Sequence, residues 1–125
     1  MAFTRDKSFP LLNDVGDVVS KAARTITGNS GWVDIGDARE IIAQLAADAG
    51  TGTSPTLDVK FQTSWDGTDA TAVDVTTGAF TQVLAAASAQ MKSLTIFHRY
   101  IKVVWTVGGT TPSFNFGVYI TVRKA

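Results

Sequence analysis

From residue 114 to residue 122 every second position is apolar: Phe114, Phe116, Val118, Ile120 and Val122 alternate with Asn115, Gly117, Tyr119 and Thr121. A strand sends successive side chains to opposite faces, whereas a helix repeats about every 3.6 residues, so this run is a strand with one face in a core. The same period of two recurs twice. Over 56–65, Leu57, Val59, Phe61, Thr63 and Trp65 point one way, and Asp58, Lys60, Gln62 and Ser64 the other. Over 100–107, Ile101, Val103, Trp105 and Val107 point inward. These are half-buried strands with one wet face.

Other segments follow suit. Trp32, Val33 and Ile35 form a short strand after the Gly28-Asn29-Ser30-Gly31 turn. Residues 39–49 are rich in alanine, which favours helix by propensity. Their alternation of Ile41, Ala43, Leu45 and Ala47 with Glu40, Ile42, Gln44 and Ala46 favours strand, and a strand is expected. Turn residues at 50–55 then introduce the strand at 56–65. Weaker strands are expected at 70–75 and 80–84, with 85–90 a connection, and Leu94, Ile96 and His98 alternate with Thr95 and Phe97. Gly108-Gly109-Thr110-Thr111-Pro112 reads as a hairpin loop that pairs the last two strands with each other. About eight short strands with regular turns imply an all-β, single-domain antiparallel β-sandwich or barrel, with an extended N-terminal arm.

The 125 residues suit one domain. Residues 1–20 read as an N-terminal arm or edge segment and 21–125 as the sandwich. Within the arm, Phe3, Phe9, Leu11 and Leu12 keep no period for long, and Pro10, Asn13 and Gly16 interrupt any regular element. Either this segment lines the sheet edge, or its aromatic residues dock on a neighbouring subunit.

Composition restricts function. There is no cysteine, so disulfides, cysteine-based zinc sites and thiol chemistry are excluded. Lys plus Arg and Asp plus Glu are 11 each, giving zero formal charge, where a nucleic-acid binder would show a basic excess. No nucleic-acid partner, no membrane partner and no cofactor is expected. Residues 1–12 carry Arg5, Asp6 and Lys7 where a signal peptide would be apolar. His98 is the one histidine, and no nucleophile-elbow, phosphate-loop or zinc-protease motif occurs. No catalytic or metal-ligating residue is expected. Asp66, Asp69 and Asp74 are read as turn chemistry rather than a cation site. Trp65 and Trp105 share the inward parity. Trp32, beside a glycine-rich turn, is the tryptophan best placed to be exposed.

Two stretches carry a family likeness: S-P-T-L-D-V-K-F-Q-T-S-W-D-G-T at 54–68, and R-Y-I-K-V-V-W-T-V-G-G-T-T-P-S-F-N-F-G-V at 99–118. Together they resemble capsid decoration (cement) proteins of tailed bacteriophages, which implies an antiparallel β-sandwich, jelly-roll-like, for the body. The resemblance implies a non-enzymatic virion protein, made in the host cytoplasm, that sits on the outer capsid surface and clamps adjacent capsid subunits. Its implied partner is the major capsid protein, and its implied state a homo-oligomer, a trimer in preference to a dimer. Partner-binding candidates are Phe3, Phe9, Leu11, Leu12 and Trp32. The alternatives are a carbohydrate-binding or receptor-binding module, or a tail or neck component.

Overall fold

The computed structural model describes residues 14–36, 38–96 and 98–124. They form eight strands: β1 (Asp14–Arg24), β2 (Gly28–Asn29), β3 (Val33–Asp34), β4 (Ala38–Ala47), β5 (Thr51–Ser64), β6 (Val73–Ala79), β7 (Ser88–Thr95) and β8 (Tyr100–Lys124). A single 3₁₀ turn, Asp69–Thr71, lies between β5 and β6.

The organising element is β8, one continuous strand of 25 residues. Residues 100–107 pair with β5 on one edge and with β2 and β3 on the other. Residues 114–122 pair with β4 on one edge and β1 on the other. β6 extends the first group beyond β5, and β7 the second beyond β4. The result is two antiparallel layers, β1-β8-β4-β7 and β2/β3-β8-β5-β6, hereafter the β4 sheet and the β5 sheet. That strand order is a jelly roll, as the family resemblance implies.

The expected hairpin between the last two strands does not form. The glycines of 108–112 bend β8 from one sheet into the other instead of reversing it. Gly109 has φ 111° and Thr111 φ 46°, and β5 bends beside them with Gly52 at φ 104° and Ser54 at φ 49°. Thr51 pairs with Ser113 and Thr56 with Gly108, with register shifts between, so both strands turn the corner together. Strands that change sheets do so through such bulges. The turn residues at 50–55 thus belong to β5 itself.

Burial follows the alternation. On β4, Ile41, Ala43 and Leu45 are fully buried, as are Leu57 and Phe61 on β5 and Phe114, Phe116 and Val118 on β8. Strand therefore prevails over alanine's helix propensity at 38–47, because a β-ladder on both edges and a core on one face outweigh it. Trp65 departs from expectation and is 66% exposed. It has the inward parity but comes after the last residue of β5, where no opposing layer covers it. Residues 88–90, expected in a connection, begin β7, which lacks apolar alternation at its start because it is an edge strand held by β4. At 80–84 the expected strand reduces to one bridge between Leu57 and Val83. Residues 14–20, assigned with the arm or edge segment, lie in β1 at the border of the β4 sheet.

Candidate functional site

The two outer sheet faces differ in chemistry. On the β5 sheet the charged outward residues are paired. Lys60 Nζ and Gln62 Nε2 donate to Asp74 at 3.2 and 3.0 Å, and Gln82 Nε2 donates to both oxygens of Asp58. Lys102 Nζ donates to Asp69 Oδ1 at 2.7 Å and lies 4.7 Å from the centroid of the Trp32 ring. The indole N–H of Trp32 donates to the same carboxylate oxygen at 2.9 Å. The Lys102 and Trp32 hydrogen bonds hold the Asp69 carboxyl below its usual pKa, and Gln62 and Lys60 do the same for Asp74. Trp32 is therefore half-buried, with its ring under a lysine and its nitrogen engaged.

The β4 sheet turns a different face outward. Ladder register places Met91, Gln44, Tyr119 and Asp17 in one row across β7, β4, β8 and β1, and Ser93, Ile42 and Thr121 in the next. Ala89, Ala46 and Gly117 form a third. Charge lies at the margins of this surface: Asp17 on β1, Glu40 on β4, and the Lys21–Asp48 ion pair of 2.9 Å at the far end. A shallow groove of about 490 Å³ runs over it, lined by Ile42, Gln44, Met91, Tyr119 and Thr121, with Asp17 at its β1 end. Met91 is 68% exposed, which is unusual for a large apolar side chain on a strand with a polar option. Sequence alternation assigned these positions to the outward side of β4 and β8. It gave no sign that the face is apolar, because β7 was not recognised from its first residue.

The loop between β5 and β6 is built on Ser64, which is fully buried. Its hydroxyl accepts the backbone N–H groups of Asp66, Gly67 and Thr68 and donates to Asp66 Oδ1 at 3.0 Å. Asp66 Oδ1 also accepts the hydroxyls of Thr71 at 2.6 Å and Thr68 at 2.9 Å. These bonds, with those of Thr71 and Thr68 foremost, lower the Asp66 pKa to about 2. Asp66 is thus the acceptor that folds the loop. Asp69 and Asp74 each engage different partners, and among the described residues no group of three or more acidic or histidine side chains is placed to hold a metal ion. His98 is exposed, at the rim of a groove of about 200 Å³ between β6 and the end of β7. Among the described residues no helix is long and apolar enough to cross a membrane.

Of the five partner-binding candidates, Trp32 is placed as above, on the β5 sheet side. Phe3, Phe9, Leu11 and Leu12 lie outside the described residues.

No protein-family model matches the sequence, and no curated protein matches it. Solved structures do share the fold. The PBSX exported protein XepA superposes with a TM-score of 0.64 at 16% identity, over 89% of this chain and 37% of that one. A chain of the infectious bursal disease virus Gx strain gives 0.55 at 12% identity, over 90% of this chain and 32% of that one. Tripeptidyl peptidase 2 gives 0.55 at 7% identity, over 99% of this chain and 10% of that one. This chain thus spans about a third or less of each of these proteins, and the likeness is one of fold.

Proposed function

We propose that this chain is a non-enzymatic virion structural protein that binds the outer surface of a phage capsid and stabilises the shell by clamping adjacent major capsid protein subunits. The observation that carries this reading is the contrast between the two outer faces. The β5 sheet face satisfies its own charges, so a partner gains little there. The β4 sheet face offers Ile42, Met91 and Tyr119 around a groove whose charged lining is confined to Asp17 at its β1 end, so removal of apolar area from water is offset little by desolvated charge. The family likeness at 54–68 and 99–118, and the occurrence of the fold in an infectious bursal disease virus chain, support the same reading. The fold also occurs within tripeptidyl peptidase 2, so it does not select the function by itself.

In this account Phe3, Phe9, Leu11 and Leu12 add contacts to the shell or to a sister subunit. Deletion of residues 2–12 weakens shell binding and leaves the β-fold intact. Ile42→Lys combined with Tyr119→Lys abolishes co-sedimentation with bare shells while circular dichroism stays that of the parent. Retention of full binding by the double variant sinks the assignment of this face.

A second reading has one observation of its own. Trp65, 66% exposed beside the Asp66 loop, is the tryptophan available to stack on a sugar ring. In a carbohydrate-binding or receptor-binding module, glycan-array binding is present and is lost in Trp65→Ala. The absence of glycan binding by the parent protein removes that reading.

A further inference from the structure

Among the described residues four edges border the two sheets, and three of them are blunted. β1 carries two register shifts against β8. β2 and β3 are two residues each. β6 shifts register between its pairings with Lys60 and Gln62 and has Thr77 at φ 60°. Short strands and bulges are how sheets avoid pairing with strangers. β7 has neither device: its ladder with β4 runs without a shift from Glu40 opposite Thr95 to Ala47 opposite Ser88.

The ladder also fixes which groups of β7 are free. The N–H of Ile96 donates to the carbonyl of Arg39 at 2.8 Å. Hydrogen-bonding direction alternates along an antiparallel strand, so Leu94, Lys92 and Gln90 face β4, and Ala89, Met91 and Ser93 turn their N–H and C=O groups away from it. The side chains of those three are all exposed. Among the described residues no backbone hydrogen bond reaches their outward groups. Beyond them, Thr95 lies across a groove from β6, which limits a new strand to about the length of 89–93.

We propose that this edge pairs with the same edge of a second copy of the chain, antiparallel about a two-fold axis, with Met91 opposite Met91. Identical edges meeting on a two-fold complete each other's ladder, which needs no second kind of surface. Charge and strand length together select the register. Lys92 is the one charged residue of β7, which begins at Ser88. With Met91 on the axis each Lys92 faces the neutral Gln90 of the other copy, whereas a shift of one pairing toward the C-terminus would set lysine against lysine, and one toward the N-terminus would leave Ser93 opposite a residue outside the strand. The zero formal charge of the chain adds no long-range repulsion. The pairing joins the two β4 sheets edge to edge and places both Met91 side chains, and the grooves beside them, on one continuous surface. It closes on itself and yields a dimer, where the family resemblance implied a trimer first. It does not depend on the capsid reading, and either can fail without the other.

Analytical ultracentrifugation of the full chain tests the pairing, with Met91→Pro as the variant. Proline at 91 removes only an outward N–H and leaves the β4 ladder intact. The parent sediments at twice the chain mass, and Met91→Pro at the chain mass with an unchanged circular dichroism spectrum. Met91→Cys, in a chain with no other cysteine, gives a second readout that keeps the native edge. Cα atoms of a hydrogen-bonded antiparallel pair stand about 5.5 Å apart, within disulfide range, so oxidation yields a covalent dimer. Thr106→Cys, on the opposite sheet, does not yield one. A monomeric parent, a dimer that survives Met91→Pro, or failure of Met91→Cys to cross-link overturns the proposal. So does amide-exchange protection of 89–93 that arises only when capsid shells are added, because the edge then takes a foreign strand.

Discussion

Trp105 and Phe116 sit on either side of the bend in β8, and their rings meet edge to face with centroids 5.5 Å apart. The contact joins the two sheets through a single strand. The Arg24 guanidinium lies 5.1 Å from the Trp105 ring and 4.9 Å from the Phe116 ring, while its nitrogens donate to the carbonyls of Ser20, Ala22 and Phe116. Burial among these rings lowers the Arg24 pKa from its ordinary value, though an arginine stays charged throughout the working pH range. Phe116 is fully buried, so Phe116→Ala leaves a cavity at the point where the layers meet. The expected loss is about 3–5 kcal/mol in urea unfolding. A loss under about 1 kcal/mol would show that the sandwich does not rely on this contact.

The corner gives a second expectation. A Cβ on Gly109 would stand 2.7 Å from the carbonyl oxygen of Ser54 and 2.9 Å from that of Thr53, at a φ of 111°. Both backbones are fixed by the paired bend, so neither can retreat. Gly31 also has positive φ, 75°, but a Cβ there meets nothing within 4 Å. Gly109→Ala therefore lowers stability by more than Gly31→Ala, whose cost is confined to the backbone conformation, about 1–2 kcal/mol. Equal melting-temperature shifts for the two variants would contradict a rigid corner.

Tryptophan substitutions separate core from surface. Trp105 is 8% exposed and Trp65 66%. Trp105→Ala costs about 3–5 kcal/mol by chemical denaturation, whereas Trp65→Ala stays within about 1 kcal/mol of the parent. Tryptophan emission of Trp65→Ala shifts to the blue, because the most solvated indole is gone. An emission shift to the red would place Trp65 inside.

Acid sensitivity follows from Asp66. Its carboxyl is held at about 2, below its unfolded value, by the hydroxyls of Thr71 and Thr68. A group with a depressed folded pKa contributes stability that is complete above the unfolded pKa, about 4, and fades as pH falls through the folded one. The loop at 65–72 accordingly holds at pH 4 and loosens toward pH 2. NMR titration gives an Asp66 midpoint near the lower end of that window, and Asp66→Asn removes this contribution to the acid dependence. A midpoint at the ordinary aspartate value would mean that the hydroxyl cluster does not persist in solution.

The sequence displayed the layers better than their connections. Alternation identified β4, β5 and both halves of β8, because each has a buried face whose apolar residues leave a period-two record. It misread 108–112 because glycine and proline report that the backbone departs from a straight strand, not whether the next segment returns beside the last or crosses to another sheet. That distinction depends on partners remote in sequence, here Thr51 to Thr56. Trp65 was misplaced for a related reason: parity states which side a residue takes, but only the opposing layer determines whether that side is covered. The candidate site was less legible still. The outward face of the β4 sheet is assembled from β4, β7 and β8, and its uncharged centre emerges only when Met91, Gln44 and Tyr119 are set in one row. The Trp32–Asp69–Lys102 contact likewise joins three segments that no local pattern connects.

The proposed role of this jelly roll is to coat a phage capsid. Titration of the full chain onto purified bare shells, with bound protein counted after sedimentation, addresses it most directly. The account predicts saturation at a fixed number of copies per shell, a number set by the symmetry of the capsid lattice, with shells that then resist heat or low ionic strength better than bare ones. Binding that never saturates, or none at all to shells of any tailed phage that infects the host, would contradict it.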